Sequence, residues 1–151
     1  MQHGESPDTS ERASVPQTIG RIALGAFLLL AGVSHLTWSR EDFLAQVPPW
    51  VPLEGDFVVI ASGVVEILLG VALLVLTRLR AQVGWVVAAF FVAVFPGNIS
   101  QFVTRTDAFG LDSDLARGMR LAFQPLLIVW ALWCTGAWRT WRASRRATTS
   151  G

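Results

Sequence analysis

The chain has 151 residues, of which 52% are hydrophobic and only 15% charged, against roughly 25% charged in an ordinary soluble domain. Twelve basic and eleven acidic residues leave a net charge of +1, which argues against nucleic acid as a partner. One cysteine, Cys134, and two histidines, His3 and His35, exclude an intrachain disulfide, a paired-thiol relay, a zinc ribbon or an iron–sulfur cluster held by this chain alone. No metal site is expected.

Residues 1–17 are polar, lack apolar periodicity and read as a disordered tail. Four apolar runs follow. From Ile22 to Trp38 only His35 can ionise, and from Phe57 to Thr77 only Glu66 can. Ala81–Thr104 and Leu121–Trp138 contain no charged residue. A helix needs about 20 apolar residues to cross the hydrocarbon, and lipid leaves no partner for an unsatisfied backbone, so each run predicts a spanning helix. The expected architecture is an all-α four-transmembrane-helix bundle over 18–142, with spans near 18–38, 57–77, 81–103 and 117–138. Residues 143–151 read as a second disordered tail. No A-x-A site follows the first run, so it reads as a retained span rather than a signal peptide.

Arginine placement predicts direction. The two tails with their flanks and the 78–80 turn hold Arg12, Arg21, Arg78, Arg80, Arg139, Arg142, Arg145 and Arg146. The opposite loops and their flanks hold only Arg40, Arg105, Arg117 and Arg120, beside Glu41, Asp42, Glu54, Asp56, Asp107, Asp112 and Asp114. The positive-inside rule then puts both termini in the cytoplasm and the chain in the cell (inner) membrane, with Trp38 and Trp50 at the outer interface and Trp138 and Trp141 at the inner one.

Ionisable side chains inside a span are expensive and need a partner or a purpose. At a rise of ~1.5 Å per residue, Glu66 falls about 15 Å from Asp56, near the midplane. His35 falls roughly 9 Å below the outer boundary, Gln124 about 10 Å and Arg120 about 4–5 Å. Asn98 and Gln101 lie near the outer end of the third span. The inner half is expected to be apolar. Gly25, Leu28, Gly32 and His35 share one helical stripe, and Ser62, Glu66 and Gly70 share another. One polar stripe per helix at similar height predicts an internal pocket open to the outside. His35 and Glu66 are its catalytic candidates; Asn98, Gln101, Arg120 and Gln124 are its ligand-binding candidates. Each also has a plain structural reading: Glu66 protonated as an interhelical hydrogen-bonder, His35 likewise, Arg120 reaching lipid headgroups, Asn98 satisfying broken backbone. Pro96 and Pro125 predict kinks in the outer half, with unwinding at Phe95-Pro96-Gly97-Asn98. The Pro-rich segment from Phe43 to Leu53 predicts a stiff lid.

Gly32-Val33-Ser34-His35, Val47-Pro48-Pro49-Trp50-Val51-Pro52, Ser62-Gly63-Val64-Val65-Glu66-Ile67-Leu68-Leu69-Gly70 and Phe95-Pro96-Gly97-Asn98-Ile99 occur in an order and spacing that resemble the DoxX family of small four-helix membrane proteins. The resemblance covers about residues 18–140. It implies a four-helix fold and an association with redox metabolism: the family takes its name from a subunit of a thiosulfate:quinone oxidoreductase. Distant members of the wider superfamily assist membrane-protein assembly. Of the family's motif positions, His35, Glu66 and Asn98 carry over as site candidates, without an assigned catalytic role.

The function expected on these grounds is an accessory or quinone-interacting subunit of a membrane redox complex. Its partners would be the lipid bilayer and a membrane or membrane-associated oxidoreductase, and its ligand a membrane quinone held noncovalently. The alternatives are a non-catalytic membrane assembly partner and a small proton-coupled carrier. Whether the chain is an enzyme stays open.

Overall fold

A computed structural model describes residues 13–105 and 113–149. Among these, regular structure is helical: α1 (Val15–Leu36), α2 (Arg40–Leu44), α3 (Gly55–Val75), α4 (Arg80–Thr104), α5 (Asp114–Cys134) and α6 (Ala137–Thr149), with a 3-10 turn at Thr77–Leu79. Four of these, α1, α3, α4 and α5, are long and apolar enough to cross a membrane. Large apolar side chains such as Leu30, Leu68, Val75, Val86, Leu126 and Val129 point outward from them. In water such a surface would aggregate; here it is the face that meets lipid, and the protein is a multi-pass membrane bundle.

Several boundaries differ from the sequence expectation. Helix α1 starts at Val15, so residues 15–17 are helical rather than tail, because Ser14 and Gln17 form a reciprocal capping box with Pro16 in the first turn. The expectation of disorder over 1–12 lies outside the described residues, as do Asp107 and Asp112. Residues 143–149 continue α6 rather than forming a structureless tail. Gly136, at φ 72°, supplies the left-handed turn that separates α6 from α5. Helix α4 runs unbroken through Pro96 and Gly97 instead of unwinding.

Helices α1 and α3 pack most closely, and glycines set the distance. A Cβ added at Gly32 would fall 2.6 Å from the Gly63 carbonyl oxygen, and one at Gly70 would fall 2.8 Å from that of Gly25. Such backbone-to-backbone approach tolerates no side chain, and in lipid it supplies the dispersion contact that holds helices together. Leu24, Leu28, Leu69, Leu73, Val83, Val87, Phe91, Leu127 and Ala131 fill the centre.

The end of the bundle that carries the start of α1 is not apolar, contrary to expectation. Gln17, Arg21 and Thr135 are buried there. The Arg21 guanidinium donates to the Leu73 carbonyl, one of the orphan acceptors left where α3 stops. Gln17 donates to the Trp133 carbonyl at 2.8 Å and accepts from Arg139 at 2.9 Å, while the Trp130 indole N–H donates to the Gly20 carbonyl at 3.1 Å. These bonds tie α1 to α3, α5 and α6.

Gly32→Ala is therefore expected to lower the midpoint of thermal unfolding in detergent, at a cost of about 1–3 kcal/mol from overpacking. Gly118→Ala, whose Cβ would meet only Phe102 at 3.6 Å, is expected to leave the midpoint unchanged or raise it slightly. Equal effects of the two substitutions would contradict the packing described here.

Candidate functional site

The polar side chains of the spans converge because of how helices aim them. A Cα–Cβ bond leans toward its helix's N-terminus. In the antiparallel pair α1 and α3, His35 near the end of α1 therefore leans into the bundle, and Glu66 in mid-α3 leans toward the connecting-loop end. They meet: His35 Nδ1 lies 2.9 Å from Glu66 Oε2, and both residues are buried. The same Nδ1 lies 2.9 Å from the Ala31 carbonyl oxygen. A carbonyl can only accept, so Nδ1 carries the hydrogen and directs it to Ala31. Glu66 Oε2 is left close to the ring yet without an aligned hydrogen bond. The imidazole is fixed from its other side by Phe43, stacked with ring centroids 3.2 Å apart. Helix α2, which carries Phe43, is held to the start of α3 by Arg40, whose Nε and Nη2 reach Asp56 at 3.0 and 2.9 Å.

A second polar group joins α4 to α5. Asn98 donates to Gln124 Oε1 at 2.9 Å, and Gln124 donates in turn to the Phe91 carbonyl at 2.7 Å. Phe91 precedes Pro96 by five residues, next to Val92, whose carbonyl has lost its helical donor to the proline. The side-chain amide thus ties α5 to α4 one residue before this gap. A third contact links α5 to the loop: Arg120 donates to Gln46 Oε1 at 3.1 Å.

These groups line one cleft of about 1090 Å³. Its polar wall contains His35, Glu66, Asn98, Gln124, Arg120 and Gln46; its apolar wall includes Phe27, Leu30, Val59, Phe91, Phe123 and Leu127. The loop segment expected to act as a lid contributes Val47, Pro48, Trp50, Val51 and Leu53 to the lining. Of the six side chains singled out in the sequence, Gln101 alone is not part of the lining: it is buried elsewhere on α4. Phe43 and Gln46 belong to the segment expected to cover the pocket, and both line the cleft, although nothing in the loop's composition says which of its side chains turn inward. Gln17 and Arg21 were missed as buried bundle ties, although Ser14-Val15-Pro16-Gln17 carries a readable helix-start pattern.

A double-mutant cycle on Asn98→Ala and Gln124→Ala, read from unfolding in detergent, is expected to give a coupling of about 0.6–1.7 kcal/mol, the span of interhelical hydrogen bonds in membranes. Additive losses would contradict a direct bond between the two amides.

Residues 24–135 match the family described as "Domain of unknown function (DUF8561)". No curated protein and no solved structure matches the chain. The matched stretch reaches from α1 to the turn after α5 and includes His35, Glu66 and the whole α4–α5 amide link. The chain belongs to the DUF8561 family.

Proposed function

We propose that the chain is a quinone-interacting accessory subunit of a membrane redox complex, placed in the cell (inner) membrane with both termini in the cytoplasm. The observation that carries this reading is the composition of the cleft. All four spanning helices contribute a polar side chain to it, while the remaining wall is largely apolar. A lipid-soluble molecule with a hydrogen-bonding head fits that division. The rim supports entry from the bilayer: Phe27 and Leu30, within the spanning part of α1, line the cleft and are also 41% and 62% exposed. The excess of arginine at the end bearing the termini supports the orientation, and the resemblance to the DoxX family supports a redox partner.

The chain's residues divide the work. Each primary amide has two N–H hydrogens, and Asn98 and Gln124 each commit one to the bonds described above; the other remains for a carbonyl oxygen of the head. Reduction of a quinone to its quinol takes up two electrons and two protons. Glu66 and the second ring nitrogen of His35 are the groups that hold and exchange protons here. His35 presents that nitrogen in a fixed tautomer because Ala31 holds Nδ1. Electrons fall to the partner oxidoreductase.

Organic extraction of the protein purified in mild detergent is expected to release quinone in near-equal molar amount. Glu66→Gln is expected to weaken binding of a short-chain quinol, whose hydroxyl can donate to the carboxylate, about tenfold, the scale of one hydrogen bond to a charged group. A quinone-free extract together with unchanged titrations for wild type and Glu66→Gln would overturn the proposal. A stable companion captured by cross-linking without any quinone would favour the assembly reading instead.

A further inference from the structure

Helix α6 carries chemistry that the cleft does not use. Between Ala137 and Thr149 it holds Arg139, Arg142, Arg145 and Arg146, together with Trp138 and Trp141, and no acidic residue. Ala137 is fully buried at its root; beyond it every described side chain is exposed. At 100° per residue, Trp138, Trp141, Arg142 and Arg145 fall on one stripe with Arg139 and Arg146 beside it, and Thr140, Ala143, Ser144 and Thr148 take the rest. The stripe is pre-assembled. The Arg142 guanidinium sits 5.3 Å from the Trp138 ring centre and that of Arg145 sits 4.9 Å from Trp141. The two indoles lie 5.5 Å apart.

The favourable effect of cations at a helix C-terminus accounts for Arg145 and Arg146. Arg139 is engaged by Gln17; neither effect accounts for Arg142 nearer the start, for the indole pair, or for the lack of acids. The position of the helix does. Gly136 turns the chain two residues past the apolar span Asp114–Cys134, and a span of that length puts the start of α6 at the level expected for headgroups. Indoles prefer that layer, and guanidinium forks match phosphate oxygens in geometry and charge.

We infer that the Arg–Trp stripe of α6 is a binding surface for the phosphate headgroups of anionic phospholipids in the adjoining leaflet. The surface works by charge and by the amphipathic indoles together, and it is independent of what occupies the cleft.

The test uses the full chain in mixed micelles of phosphatidylglycerol and phosphatidylcholine in equal amounts, with retained lipids counted by mass spectrometry. Wild type is expected to retain phosphatidylglycerol over phosphatidylcholine by roughly fivefold or more, the scale of one or more arginines near an anionic surface. R142Q/R145Q/R146Q is expected to bring the ratio close to one, with circular dichroism and elution volume unchanged. R142K/R145K/R146K is expected to keep most of the preference, which separates lost charge from lost fold. Added salt is expected to lower the ratio, and 10 mM inorganic phosphate to leave it unaltered. Equal retention of both lipids by wild type, an unchanged ratio in the glutamine variant, or loss of the preference to inorganic phosphate alone would overturn the inference.

Discussion

The glycine contact between α1 and α3 is the constraint on which the rest depends. With the Gly32 and Gly63 backbones and the Gly25 and Gly70 backbones in near contact, the two helices have no freedom to slide or rotate past each other. That register decides which side chains of the loop-end half face inward. A side chain at Gly63 would collide with the Cβ of His35 at 2.8 Å. The same absence of a side chain that binds the helices also gives the imidazole its space, so stability and site geometry come from one feature of the sequence.

The two polar groups around the cleft differ in how well they are satisfied. In the Asn98–Gln124–Phe91 chain one N–H of each amide is engaged within the bundle, and the Gln124 oxygen accepts from Asn98. Such a chain stiffens a wall. The acid and imidazole form an open pair: Nδ1 is spent on Ala31, and Glu66 Oε2 is close by without an aligned bond. In hydrocarbon a half-satisfied carboxyl is costly, and positions of this kind favour a visitor that completes the bonding. The proposed division, amides as frame and His35 with Glu66 as proton-exchanging groups, follows from this asymmetry rather than from residue type.

The spans were legible because the bilayer imposes length and polarity on every crossing segment, and the charge-poor runs around His35 and Glu66 register both. The meeting of His35 with Glu66 was legible too, since rise per residue gave their heights and the glycine stripes gave their faces. Rise and face also put Asn98 and Gln124 in the same outer-half pocket, without pairing them. They failed for Gln101, which shares the height but not the face of the cleft. They failed again for Arg21, which sequence counting assigned to the aqueous end. The orphan carbonyl of Leu73 draws that guanidinium into the bundle, and no pattern within α1 reveals where a neighbouring helix stops. Residues 143–149 of α6 read as a tail because their apolar content is low; the helix starts at the Gly136 turn and the seating of Ala137, which are tertiary facts.

What lies beneath the cleft bears on how the protein works. Leu24, Leu28, Leu73 and Val87 are fully or almost fully buried, and they form a packed layer between the Glu66 carboxyl and the Arg21 end. The α1–α3 backbones that flank this layer already touch, so it cannot open by side-chain movement alone. A carrier that moved protons or solute across the membrane would have to part this layer where the α1–α3 pair meets the α4–α5 pair. A cleft with an aqueous-facing loop rim and a lipid-facing rim at Phe27 and Leu30 demands no such rearrangement. Under the proposed function, a ligand would arrive from the bilayer, exchange protons at His35 and Glu66, and leave by the same side. The architecture therefore suits binding at one half of the membrane far better than passage through it.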